Sequence, residues 1–181
     1  MTPEDLDKLK YPIGKFKKTE NISEAQIDEW IEIIEDLPKS LTKLTAGLSV
    51  DQLNLPYRPE GWNIKQVVHH LADSHMNSLI RFKWALTEDN PTIKAYHEDL
   101  WAKLIDANDD HLDHSLSILK GLHAKWGKLL RSLSKDDFKR EFIHPEHGRH
   151  FSLEVTLAIY AWHSKHHLAH IEQALKYQGK F

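Results

Sequence analysis

The chain has 181 residues, enough to bury a core without disulfides or a structural metal, and it reads as one domain over 1–181. Its 24 Lys and Arg against 27 Asp and Glu give a formal charge of −3, and no basic run dominates a face, which argues against nucleic acid or an anionic membrane as the main partner. The absence of cysteine removes disulfides, thiolate ligands and a protein thiol nucleophile, leaving nitrogen and oxygen as the metal-binding chemistry.

Residues 1–22 carry Pro3, Pro12 and Gly14 among mixed charges and are expected to form an extended N-terminal arm. Ser23 and Gln26 resemble a capping box, after which Ile27, Trp30, Ile31, Ile34, Leu37, Leu41, Leu44 and Leu48 recur at helical spacing, with a kink expected at Pro38. Pro56 and Pro59 mark 54–61 as a loop. Asn63 and Gln66 give a second cap signal, and Ile64, Val67, Val68, Leu71, Leu79, Phe82 and Leu86 continue the period of a second long helix, with Pro91 beyond its end. A short helical piece is expected over 96–105, then a third long helix from Leu112 to Leu133. Pro145 and Gly148 make 142–152 a loop, and Ser152 can cap the last helix. No strand pattern stands out, so four long helices predict an all-α four-helix bundle. The N-terminus shows no basic start followed by an apolar stretch, and no apolar run approaches ~18 residues, so a soluble cytoplasmic protein is expected.

The last helix carries the most specific chemistry. His163 and His167 lie four residues apart, which puts two imidazoles on one helical face and suits joint ligation of a divalent cation. At 100° per residue, His167 falls about 40° and His163 about 80° from the apolar direction set by Leu153, Leu157, Tyr160, Leu168, Ile171 and Leu175. His170 lies further out and His166 points toward the flank, giving the preference His167, His163, His170, His166.

Catalytic sites often take a third ligand from another element, and HHLADSH on the second helix offers candidates. His69 and His70 flank the apolar stripe almost symmetrically, so periodicity does not choose between them. His75, near the stripe centre, reads as a hydrogen-bonded core histidine. Along His70's line run Asn63, Val67, Ser74, Asn77 and Arg81, a polar seam suited to bordering a pocket, and Asp73 lies within a turn of both histidines as a candidate outer-shell acceptor. Trp62 stands where it could line the pocket mouth, while His144, His147 and His150 fall on the 142–152 loop, where solvation is the plain expectation. There is no His-Glu-x-x-His, no Gly-x-Ser-x-Gly and no phosphate-binding glycine loop.

Four stretches, YPIGKF at 11–16, LPYRPEGWNIKQVVHHLADSHMNSLIRFK at 55–83, TEDNPTIKAY at 87–96 and YAWHSKHHLAHI at 160–171, resemble the DinB/YfiT-like family of metal-dependent four-helix-bundle proteins, in particular its YfiT-type metal-dependent hydrolases. In that family one histidine of the second-helix motif and two from the last helix bind zinc or nickel. The resemblance thereby implies His70, the second histidine of VVHH, with His163 and His167, holding one divalent transition metal per chain. Asp73, Asn77, Arg81, Trp62 and His170 are the candidates for hydrogen-bonding the ligands from outside or for bordering the pocket. It also implies a cytoplasmic homodimer acting on a small molecule. A cation held by three neutral imidazoles keeps its charge largely uncompensated and acidifies whatever occupies its fourth position. Water there gives hydrolysis; a low-molecular-weight thiol of the bacillithiol kind gives S-transfer, since related proteins resemble thiol S-transferases. A non-catalytic metal-binding or interaction bundle is the reading from another class.

Overall fold

A computed structural model of the chain describes residues 2–146 and 148–181. Four long helices, α2 (Glu24–Thr45), α4 (Ile64–Thr87), α6 (Asp113–Leu130) and α8 (Leu153–Tyr177), form a bundle. Short elements fill the connections: α1 (Pro3–Lys10), α3 (Val50–Leu53), α5 (Glu98–Trp101), a 3-10 turn at Asp106–Asn108 and α7 (Lys135–Phe138). The expected caps are present. Gln26 N–H bonds Ser23 Oγ at 3.3 Å, Gln66 N–H bonds Asn63 Oδ1 at 3.0 Å, and Val155 N–H bonds Ser152 Oγ at 3.4 Å. Among the described residues no helix is long and apolar enough to cross a membrane.

Each of α2 and α4 packs against both α6 and α8, so the diagonals of the bundle pair α2 with α4 and α6 with α8. The apolar clusters give the directions. One joins Ile31 and Ile34 of α2 to Phe82 of α4, Trp126 of α6 and Leu157 of α8. The other joins Leu41 to Val68, Leu119 and Ile171. Thus α2 and α8 run one way and α4 and α6 the other, and two parallel neighbours need the long connection 88–112 to return the chain along the bundle. Between the two clusters lies a tier of buried histidines.

Three expectations change. Residues 3–10 are a helix rather than part of an extended arm, because Thr2 and Asp5 make a reciprocal capping box and Pro3 stands at the first turn, where its missing N–H does no harm. The arm continues without helix over 11–23. The 142–152 loop is a hairpin, β1 (Glu141–His144) paired antiparallel with β2 (Arg149–Ser152). Four-residue strands are too short to show alternation, and this pair is fixed by Phe142 stacking on Phe151 and by Ile143 exchanging backbone bonds with Pro91 and Ile93. Helix within 96–105 is confined to one turn, Glu98–Trp101.

Pro38 does not end α2. It does leave the Ile34 carbonyl without its in-helix donor, and His123 of α6 supplies one from Nδ1.

Candidate metal centre

Three imidazoles meet where α4 faces α8. The ligand-capable nitrogens of His70, His163 and His167 all lie within 4.8 Å of one another, and His70 Nε2 stands 3.3 Å from His163 Nε2. Two nitrogens on a tetrahedral ion at ~2.0–2.1 Å are separated by about 3.3–3.4 Å, the edge of that tetrahedron, so the observed spacing fits a shared cation. The four-residue step on α8 brings the His163 and His167 rings to 4.4 Å between centroids, and His70 meets them from α4 at 5.3 and 4.9 Å.

Burial keeps these rings neutral, the form whose lone pair can ligate. It pushes His70 down to about 4, and burial with neighbouring imidazoles holds His163 and His167 well below the usual histidine range.

Where periodicity leaves His69 and His70 equivalent, the fold separates them. His69 turns toward α6, its Nε2–H donating to the Asp109 carbonyl at 2.9 Å and its Nδ1 accepting from Ser115 Oγ at 2.8 Å, so both nitrogens are used.

Two further histidines stand directly behind the α8 pair. His75 Nε2 lies 3.2 Å from His163 Nδ1, and His170 Nδ1 lies 3.4 Å from His167 Nδ1. His75 is buried as expected, its ring packed among His123, Trp126 and Tyr160, but its contact with His163 depends on the register of α4 against α8, which sequence spacing does not carry.

A cavity of about 670 Å³ opens onto the cluster. Trp62, Tyr57 and Trp162 give it aromatic walls, with the Trp62 ring 4.8 Å from His70. Lys10, Arg58 and Arg81 interleave with Glu60, Glu98 and Asp99 around it, and burial together with Asp99 and Glu146 pushes the Glu98 carboxyl upward. Arg81, Trp62 and His170 therefore border this cavity as the sequence suggested. Asp73 and Asn77 do not line it. Asp73 sits one turn beyond His69 in a smaller cleft with Asp106 and Asp109, where burial and Asp106 push its carboxyl up to about 6. The Asn77 amide folds back to donate to the Asp73 carbonyl at 2.9 Å.

The loop histidines divide: His144 lines the cavity, His150 bonds Glu141 Oε2 at 2.9 Å on an exposed strand, and His147 lies outside the described residues. His166, placed toward the flank by periodicity, is buried instead, stacked between Tyr11 and Trp162, because the N-terminal arm covers that flank. Tyr57 and Arg58 gave no sequence signal; they reach the cavity through the loop before α4.

The family model described as the DinB superfamily matches residues 25–171. The protein named putative metal-dependent hydrolase YfiT from Bacillus subtilis (strain 168) is 46% identical over 171 residues, covering 94% of this chain and 96% of the relative. A Bacillus cereus (strain ATCC 10987) protein named putative metal-dependent hydrolase is 51% identical over 171 residues, covering 94% and 98%. A solved structure titled "YfiT from Bacillus subtilis is a probable metal-dependent hydrolase with an unusual four-helix bundle topology" superposes with a TM-score of 0.91 at 46% identity, covering 95% of this chain and 98% of that one.

Proposed function

The chain belongs to the DinB superfamily, and from that membership and the geometry of its histidine cluster we propose that it is a metal-dependent hydrolase whose cation is held by His70, His163 and His167. The observation that carries this reading is the 3.3 Å approach of two imidazole nitrogens, from a buried His70 and a half-buried His163, on the wall of a large cavity. Such a spacing is unfavourable for two lone pairs and is relieved by one shared proton or one shared cation. When bound, a divalent ion supplies Lewis acidity and lowers the pKa of a water in its open position. Zinc or nickel suits three nitrogen ligands.

The protein's own residues do the rest. The three histidines come from two helices of a packed bundle, so their separation is set by the α4–α8 contact rather than by a mobile loop. The Trp62 and Trp162 walls offer flat apolar surface to a substrate beside the cluster. Arg58 and Arg81 can hold carbonyl or anionic groups of a small polar molecule, and the acidic groups among them can hold amines or hydroxyls. A homodimer, implied by the family likeness, remains part of this reading.

The test is metal content and turnover on untagged protein. About one transition metal per chain, lost in His163→Ala with helical circular dichroism retained, together with ester or amide hydrolysis that needs metal and no added thiol, is the expected result. No metal after reconstitution would overturn the centre. Turnover that appears only with a small thiol would replace water by thiol as the nucleophile.

A further inference from the structure

The nitrogens behind His167 determine where its proton sits. Lys10 contributes a backbone carbonyl, which only accepts, and His170 Nε2 lies 3.1 Å from it, so His170 carries its hydrogen on Nε2. His170 is 2% exposed, with its ring stacked on Tyr57 at 3.7 Å between centroids. A neutral His170 protonated at Nε2 presents a bare Nδ1, and that atom faces His167 Nδ1 at 3.4 Å. His167 must then be the donor, holding its hydrogen on Nδ1 and leaving Nε2 as a lone pair.

The Lys10 carbonyl is itself fixed. On one side Gln173 Nε2–H of α8 donates to the Leu9 carbonyl at 2.9 Å and to the Tyr57 carbonyl at 2.7 Å, tying the end of α1 to the loop before α4. On the other, Trp162 Nε1–H donates to the Gly14 carbonyl at 3.1 Å, while Tyr11 stacks on His166. The N-terminal segment is thus strapped along α8 at the level of the histidine cluster.

We propose that His170, anchored on the Lys10 carbonyl, is a positioning residue that locks His167 into the Nδ1–H tautomer, which makes the N-terminal segment a structural component of the metal centre. The proposal rests on the three-histidine reading above and adds to it. An outer partner of this kind fixes ligand orientation and tautomer, and its loss commonly weakens metal binding by about 10–100-fold.

Metal-free full-length protein, 15N-labelled and observed by long-range proton–nitrogen NMR at pH 7.5, should show His167 protonated at Nδ1 and bare at Nε2. Zinc titration against a chromophoric chelator should show about 10–100-fold weaker binding in His170→Phe, which keeps a ring on Tyr57 but offers no acceptor. His170→Asn, whose Oδ1 falls near the position of Nδ1, should recover part of that loss. A merely structural role would lower the melting temperature in both variants and leave the tautomer and zinc affinity unchanged; that result overturns the proposal. So does His167 protonated at Nε2 in the unsubstituted metal-free protein, a readout that holds even if His170→Phe fails to fold. Failure of the underlying centre looks different: zinc binding in the unsubstituted chain that is absent, or that survives His163→Ala.

Discussion

Taking the metal-free protein from pH 7.5 to 5 should remove about 3 kcal/mol or more of folding stability, through groups the structure identifies. His70 and His123 are 8% and 1% exposed, and burial is the first cause that pushes each down to about 4. An imidazole in the unfolded chain titrates near ~6.5. Between these values the unfolded state binds more protons than the folded one, so stability rises with pH across the window. It is fully present above pH 6.5 and is lost as the pH falls toward 4. At pH 5 each of the two imidazoles has removed roughly 2 kcal/mol, or about 4 kcal/mol together. His75, His163 and His167 are displaced in the same direction. Asp73 opposes them: with its carboxyl raised from 3.8 to about 6, its protonation favours the fold below pH 6. Discounted for partial exposure, that offsets about 1 kcal/mol. Urea unfolding followed by circular dichroism, after chelation and in half-unit pH steps, reads the effect directly. With a slope near ~2 kcal/mol/M, the midpoint should fall by about 1.5 M or more. An unchanged midpoint between pH 6.5 and 5 would refute the argument, since it would mean that these imidazoles accept protons in place without unfolding.

Other consequences are as direct. His123→Phe strips the Ile34 carbonyl of its donor and should cost about 1–3 kcal/mol; Pro38→Ala in that background restores an in-helix N–H, so the double variant should be the more stable of the two by urea unfolding. Equal stability with and without the proline would show that the carbonyl does not depend on His123. Zinc at about 100 times its dissociation constant should add ~2.7 kcal/mol, raising the melting temperature by about 5–10 °C in a manner that a chelator reverses. Cobalt(II) should quench tryptophan fluorescence, with Trp62→Phe removing the largest single share, because that ring lies 4.8 Å from His70; quenching that is undiminished in Trp62→Phe would place the metal elsewhere.

The long helices were legible because each repeats its apolar period over many turns, and three of the four begin with a side-chain cap, at Ser23, Asn63 and Ser152. The α8 pair was legible for a related reason, since a four-residue spacing is itself a distance. What stayed hidden depends on register between elements. Periodicity could not choose between His69 and His70, and the choice is made by Ser115 and the Asp109 carbonyl, both remote in sequence. Likewise His166 reads as a flank residue until Tyr11 is laid over it, and α1 was masked by a proline that is harmful within a helix but suits its first turn. Asp73 illustrates the converse: being one turn from His70 along α4 did not bring it to the cavity, since it projects beside His69.

The buried tier between the two apolar clusters joins these threads. Leucine in place of His75, which is fully buried between those clusters, would suit the core at least as well if stability alone mattered. His75→Leu should therefore leave the metal-free protein at least as stable at pH 7.5. It should also make it relatively more stable as the pH falls to 5, because one imidazole that resists protonation has gone. The same substitution removes the ring nitrogen that faces His163 Nδ1 and helps to orient that imidazole, so zinc affinity should drop by about 10-fold or more. Stability and metal binding would then move in opposite directions, the signature of a residue retained for the site rather than for the core. Lower stability at pH 7.5 with unchanged zinc affinity would instead make His75 a packing residue, and its contact with His163 a by-product of two helices lying close.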